Sequence, residues 1–409
     1  MPNLFFSTTL AYGFAAGNYW STMIGDICAA LGRAGVACDL VEAADNNAFN
    51  AFVLKAREEP RQFIATFNFG VPYPDNSIAG KKVFVEELFA ARSVTAFLDH
   101  PIHLAAKIVQ FEAAARQHEY RPRPAPPPVY GVMEADHALV LNDLGIEADR
   151  IFVFPQAGPA PGPAPTPLAQ RPIDLLFHGS IGELIPEDAF LDQNGFIGAD
   201  FQKAVRDTLH AALSGSDDVY AAGKKNLATI GRASTLGVAR VAEFARLIDV
   251  RARLIRRSTL LTGLADLRIH YCGNVAESFR RANPNGAYLG AKPFAEVMDL
   301  ARQSKIVLND TINLRQAALM RFHYSMAQGC VLATESNDWF RNAYADGVEA
   351  VLLESGIAHA DILRGVLGDL AGAQRIADAG RAKQAAAHRW DHRVGSFIQA
   401  ATTGRERQL

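Results

Sequence analysis

Short apolar runs separated by amphipathic stretches recur along most of the chain, and their spacing is that of an α/β protein. In the N-terminal half, Leu4 to Ser7, Val36 to Val41, Phe63 to Asn68 and Val94 to Leu98 read as strands. Trp20 to Arg33 has the period of an amphipathic helix closed by Gly35, and Lys82 to Arg92 is predicted as a further helix. Ala138 to Leu141 and Arg150 to Phe154 continue the same domain. The alternation restarts with the strand Ile173 to Ser180, followed by a long helical region over 199–256. Strands at Leu267 to Cys272, Ala287 to Leu289, Lys305 to Leu308 and Cys330 to Thr334 come next. Helices Val275 to Arg281, Pro293 to Gln303 and Ala317 to Gln328 separate them, and helices from Ala358 onward finish the chain, the last over Arg393 to Ala401. Continuous apolar strands between helices are what a parallel sheet covered on both faces requires. Two doubly wound α/β domains are therefore expected.

Two proline-rich stretches interrupt this pattern. Arg121 to Tyr130 (RPRPAPPPVY) is expected to loop over the surface of the first domain. Pro155 to Pro172 combines Pro, Gly and Ala with almost no charge, the composition of an extended, semi-rigid spacer. Placing the boundary there gives a domain over 1–158, a linker over 159–172, and a second domain over 173–390 carrying the helical insertion. A closing helix and tail occupy 391–409. A chain of 409 residues is also longer than one core usually serves.

Charge and cysteine content narrow the class. Lys and Arg number 41 against 43 Asp and Glu, a net charge of -2, so the broad basic field of a nucleic-acid binder is not expected. No Lys or Arg precedes Arg33, which argues against a secretory leader, and no apolar run is long enough to span a bilayer. A cytoplasmic protein is expected, with any membrane contact peripheral. Cys28, Cys38, Cys272 and Cys330 form no CxxC pair and read as reduced core residues. His388 and His392 have HxxxH spacing but lack the glutamate of HExxH, so no metal site is expected. GxxxxGK[ST], GxGxxG and GxSxG are all missing, which removes the fingerprints of nucleoside triphosphatases, classical dinucleotide enzymes and α/β-hydrolases.

Open parallel sheets bind ligands beyond the C-terminal ends of their strands. In the second domain those positions are His178, Gly179 and Ser180; Gly273 and Asn274; Asn309 and Asp310; and Thr334 and Glu335. All are small or polar, as a site for sugar and phosphate needs. Gly179 and Gly273 would let backbone N–H groups approach phosphate oxygens. The same residue types also make ordinary turns. On the helix LMRFHYSMAQG, Leu319, Phe322 and Met326 form a core stripe, while Arg321, Tyr324 and Ser325 share another face. Arg321 there is either a diphosphate clamp or a solvated surface residue. In the first domain Asp99 and His100 stand at a strand end before Pro101, placed either to deprotonate an acceptor hydroxyl or to start a helix. Gly17, Asn18 and Asn68 fall in loops after strands and are acceptor-side candidates.

The stretch from Ser304 to Glu354 resembles the C-terminal signature of spore-maturation-type (CgeB-like) glycosyltransferases and their GT-B relatives. Asn309, Arg321, Ala327, Gly329, Asp346 and Gly347 match that signature position by position. The resemblance is strong over 267–400 and loose elsewhere. It implies two Rossmann-like domains facing each other across a cleft, and transfer of a sugar from a nucleotide-diphospho-sugar co-substrate to an acceptor hydroxyl without a required cofactor or metal. It assigns the donor to the strand ends above together with Arg321, Tyr324 and Gly329, and leaves the acceptor as a glycan, a lipid-linked glycan or a protein. One departure stands out: the paired glutamates that many such enzymes carry are replaced here by Gln316 and Tyr324. That keeps open a sugar-nucleotide epimerase or hydrolase, a binding protein, and a degenerate domain acting as a partner subunit.

Overall fold

The computed structural model of the protein describes residues 3–7, 19–41, 51, 63–67, 77–78, 81–82, 91–117, 126–311, 313–354 and 358–403. The chain divides into two compact units, the first comprising 1–156 with 390–409, the second 157–389.

In the first unit the strands are β1 (Asn3–Ser7), β2 (Ala37–Val41), β3 (Phe63–Phe67), the short antiparallel pair β4 (Ser77–Ile78) and β5 (Lys81–Lys82), β6 (Arg92–Ala96), β7 (Val129–Val132) and β8 (Ile151–Val153). Six of them form one parallel sheet in the order β2-β1-β3-β6-β7-β8. β7 was hidden in the sequence by the prolines that precede it. Pro126, Pro127 and Pro128 stop short of Val129, so none removes a donor from the ladder. The helix expected over Lys82 to Arg92 is not borne out at its ends, which are strand residues; positions 83–90 lie outside the described residues. The closing helix Val394–Thr403 belongs to this unit. Its Phe397 ring lies 6.3 Å from Phe63, 6.1 Å from Phe152 and 5.1 Å from Phe154.

The second unit contains β9 (Ile173–His178), β10 (Ile269–Cys272), β11 (Ala287–Gly290), β12 (Ser304–Asn309), β13 (Val331–Glu335) and β14 (Val351–Leu353). They form a parallel sheet in the order β11-β10-β9-β12-β13-β14. Alternate residues share a face: Leu175 and Phe177, Ile269 and Tyr271, Ile306 and Leu308, Val331 and Ala333, Val351 and Leu353 all enter one buried cluster. Leu260, Leu261, Phe279, Leu363 and Ala377 from four helices cover it. β14 and the helix Asp338–Ala343 escaped the sequence reading because each is short. The fold class is the expected one, α/β with two doubly wound parallel sheets.

The region over 199–256 is a set of helices, Ala199–Ser214, Val219–Thr229, Ala233–Leu236 and Val238–Thr262, the last running seven residues or fewer short of β10. The proline-rich segment behaves differently from a free spacer. Beyond Gln156 it lies as a strap along the helix Leu370–Ala387: Arg381 Nη2 donates to the carbonyls of Gly162 (2.7 Å) and Pro163 (2.8 Å), and Leu168 N donates to Gln374 Oε1 (2.8 Å). Prolines cannot donate, so the strap is held through its carbonyls and its few N–H groups. Among the described residues no helix is long and apolar enough to cross a membrane.

All four cysteines are free thiols. Cys28 is hydrogen-bonded to Cys38, and that contact together with burial pushes its pKa far up; burial also raises Cys272, and takes Cys330 to about 12. Thiolates are the reactive species. Brief iodoacetamide treatment at pH 8 is therefore expected to leave Cys28, Cys272 and Cys330 unlabelled in peptide mass maps of the folded protein.

Candidate functional site

The direction of the second sheet reverses between β9 and β12, since β10 and β11 extend one way from β9 while β13 and β14 extend the other way from β12. The crevice beyond the C-terminal ends of the strands at such a switch point is the usual ligand position in this architecture. His178 ends β9, Asn309 ends β12, and Thr334 and Glu335 end β13.

Arg321 joins all three. It stands in the first turn of the helix Met320–Ala327, where side chains lean back toward the helix N-terminus and so toward these strand ends. Nε donates to Asn309 Oδ1 (2.9 Å), Nη1 to the His178 carbonyl (3.3 Å) and Nη2 to the Asp310 carbonyl (2.9 Å) and carboxylate. Asn309 in turn donates to Thr334 Oγ1 at 3.0 Å. Arg321 is thus a staple across the sheet edge, and most of its donors are committed to protein acceptors.

Asp310 is fully buried and receives two guanidinium groups. Arg321 holds Oδ1, and Arg257, from the helix Val238–Thr262, holds Oδ2 through Nε (3.0 Å) and Nη2 (2.9 Å). Burial alone would raise the Asp310 pKa, but Arg321 and Arg257 outweigh it and hold the carboxyl below its usual range. Arg257 also donates to the Ser180 carbonyl and lies over the Phe177 ring, 5.6 Å from its centroid. Beside it, Arg256 donates to the carbonyls of Ala212 (2.8 Å) and Leu213 (2.9 Å) and to Asn313 Oδ1 (3.3 Å). Asn313, with φ of 65°, is fixed to Asp249 Oδ1 at 2.9 Å. Three arginines against one ionised aspartate leave the floor of the crevice cationic.

His178 shows how the site sets a tautomer. Ser325 Oγ donates its single proton to the Arg321 carbonyl (2.7 Å), so His178 Nε2, 3.0 Å from that oxygen, must be the donor. Burial and then Arg321 depress the His178 pKa to about 3, so the ring is neutral at physiological pH with its Nδ1 lone pair unprotonated. Glu335 is shifted the other way: burial lifts it to about 7 against the pull of Arg256, with Asp310 adding to the rise.

Several expected roles change. Gly179 N donates to the Cys272 carbonyl and Gly273 N to the Gly290 carbonyl, both at 2.9 Å, so neither N–H is left for a phosphate. These glycines are there for close approach, because a Cβ on Gly273 would stand 2.4 Å from the Gly179 oxygen. Ser180 and Asn274 are exposed on the two loops that this crossing brings together. Tyr324 is a core residue, 2% exposed and edge-on to Phe294, which removes it from donor contact. Gly329 closes the C-terminal end of its helix at φ 70°, where a Cβ would meet the Pro165 ring; it lies at the N-terminal edge of β13, away from the strand ends.

In the first unit, Asp99 and His100 follow β6. His100 Nδ1 accepts from Ile102 N (3.2 Å) and caps the turn Pro101–Leu104, the helix-start role, while Asp99 Oδ1 accepts from His100 N (2.8 Å). The His100 ring lies 4.1 Å from that of His137, which pairs with Glu134 at 3.2 Å. Gly17, Asn18 and Asn68 lie outside the described residues. Sequence reasoning missed Arg257, Arg256, Asn313, Glu134 and His137. The adjacent arginines in LIRRSTLL, flanked by apolar residues, were the available signal for the first two.

Residues 251–399 match the sequence profile of a family described as glycosyl transferase-like. No curated protein matches the chain. Among solved structures, it is similar to Anabaena HepE in complex with UDP and glucose, at 10% identity and a TM-score of 0.48, covering 98% of this chain and 100% of that one. A glycosyltransferase from Rickettsia africae is similar at 9% identity and 0.47, covering 98% of each chain. WaaG, a glycosyltransferase involved in lipopolysaccharide biosynthesis, is similar at 12% identity and 0.44, covering 98% and 100%.

Proposed function

We propose that the protein is a glycosyltransferase that moves a sugar from a nucleotide-diphospho-sugar to an acceptor hydroxyl, with the donor at the switch point of the second sheet. The observation that carries this reading is that the glycosyl transferase-like match contains the cationic floor itself, Arg256, Arg257, Asp310 and Arg321. Transfer leaves negative charge on the departing diphosphate. Fixed positive groups in a partly dehydrated crevice stabilise that charge without reorganising. A guanidinium carries five N–H groups. The bonds to Asp310 and Ser180 leave Arg257 with further hydrogens to offer, whereas Arg321 mainly positions the strand ends. The neutral His178 ring adds an acceptor and no repelling charge of its own.

On the acceptor side, Asp99 would take the hydroxyl proton if the reaction inverts configuration; a retaining enzyme needs no such base. A glycan, a lipid-linked glycan or a protein is the acceptor class. The narrower spore-maturation type rests on Asn309, Arg321, Ala327, Gly329, Asp346 and Gly347. A second reading, binding without transfer, is favoured by one observation: Tyr324 occupies a position where relatives carry a carboxylate, and its ring is turned into the core.

Thermal-shift titration with uridine, guanosine and adenosine diphosphates and their glucose conjugates tests the donor site. A ligand at a hundred times its Kd stabilises the native state by about 2.7 kcal/mol. One nucleotide family is expected to raise Tm, and Arg257→Ala to lose that rise while still melting cooperatively. No shift with any of them would refute the donor site; binding with no transfer or hydrolysis to any acceptor would favour the second reading.

A further inference from the structure

The carboxylates at the second sheet's C-terminal edge are not equivalent. Both Asp310 oxygens are occupied by arginines. Glu335, half-buried at the end of β13, uses only Oε2, which accepts from Thr311 N at 3.3 Å. Its Oε1 has no partner among the described residues. An uncommitted carboxylate oxygen beside a cationic floor is a strong acceptor with nothing to accept. Its backbone is fixed, because Thr334 on the preceding rung hydrogen-bonds both Asn309 Nδ2 and the Glu335 carbonyl.

We infer that Glu335 is a specificity-determining residue that receives a hydroxyl of the bound nucleotide sugar through Oε1, either on the ribose or on the transferred sugar. This rests on the donor-site reading above. Phosphate contacts alone cannot distinguish a ribonucleotide from its deoxy analogue, whereas a carboxylate that accepts from a hydroxyl can. The groups facing Glu335 are Arg256 and Arg257 from the long helix, and Asp310 and the Thr311 N–H after β12. They leave the carboxyl partly ionised at neutral pH, a state a structural ion pair would not leave it in. A folded pKa raised to about 7 from an ordinary 4.5 also has a stability consequence. The native state loses stability as pH rises from the unfolded value through the folded one, because the unfolded chain ionises first.

Calorimetric titration at pH 8 of uridine diphosphate, its 2′-deoxy and 3′-deoxy forms and its glucose conjugate, with guanosine diphosphate and its glucose conjugate as a second base, into the full chain and the Glu335→Gln variant tests this. Glutamine keeps the shape and an acceptor for Thr311 N but not the charge. The variant is expected to melt at the same or a higher temperature than the parent at pH 8, yet to bind the preferred ligand about ten-fold more weakly, the scale of one charge-assisted hydrogen bond. A penalty on the diphosphate that vanishes with a deoxy form puts the contact on ribose; a penalty present only with the glucose conjugate puts it on the sugar. Equal affinity of parent and variant for every ligand, with binding intact, overturns the role of Glu335 and leaves the donor site standing. Failure of the parent to bind any of these probes overturns both.

Discussion

Asp310→Asn is expected to lower stability by about 3–5 kcal/mol, the range for removing one partner of a buried ion pair, and to abolish nucleotide binding. Asp310 has no solvent exposure, and its two oxygens each hold a different guanidinium. Asparagine would present an N–H₂ to one of them and leave two buried positive groups facing each other. With the staple loosened, the ends of β9, β12 and β13 lose their common anchor, so the loss of binding follows from geometry as well as from charge. The pH dependence has a definite sign. The folded pKa lies below the ordinary 3.8, so the contribution is present in full above that value and is withdrawn as pH falls through the lower folded value. Urea denaturation should therefore show a constant difference between parent and variant from pH 5 to 8, narrowing only in stronger acid. A difference under about 1 kcal/mol at pH 7, the scale of an exposed pair, would mean that Asp310 is solvated.

Gly273→Ala is expected to cost about 3 kcal/mol, as overpacking against rigid neighbours does. The new Cβ would lie 2.4 Å from the Gly179 oxygen and 2.7 Å from its carbon, backbone atoms that cannot rotate away, and φ at this position is 147°. Relief requires the loop after β10 to move off the loop after β9, breaking the bridge between Ile181 and Val275. For a domain of this size Tm should fall by roughly 2–4 °C per kcal/mol. Gly290→Ala is the control: φ is 71° but nothing lies within 4 Å, so only backbone strain of about 1 kcal/mol applies. Equal shifts for the two would show that the crossing is looser than its contacts indicate.

Much of the second sheet was legible because each apolar run ends abruptly in polar residues, and those ends became the crevice. Asn309, Thr334, Glu335 and His178 were found in this way. The face of the Arg321 helix was misread for a physical reason. From Met320 to Met326 every residue of that helix is buried, so it has no solvent side and a polar face need not be a ligand face. Tyr324 went inward and Arg321 became a staple under the same constraint. Arg257 was out of reach, since nothing in a helical pattern tells which distant carboxylate one of its arginines will meet. β7 was masked by three prolines whose effect ends one residue before it begins, and the strap was taken for a spacer because carbonyl-only tethering leaves no mark on composition.

The bridge at the base of the strap has a consequence for how the chain can be cut and rejoined. Gly158 pairs with Arg389, with Gly158 N donating to the His388 carbonyl at 2.8 Å. The second unit is therefore one uninterrupted segment whose entry and exit lie side by side, the topology of a domain inserted into a host. Such a cassette can be excised without leaving distant ends, and the host closed by a short linker. A donor-binding half with that topology can be lifted onto, or exchanged between, unrelated acceptor halves as a single piece of sequence.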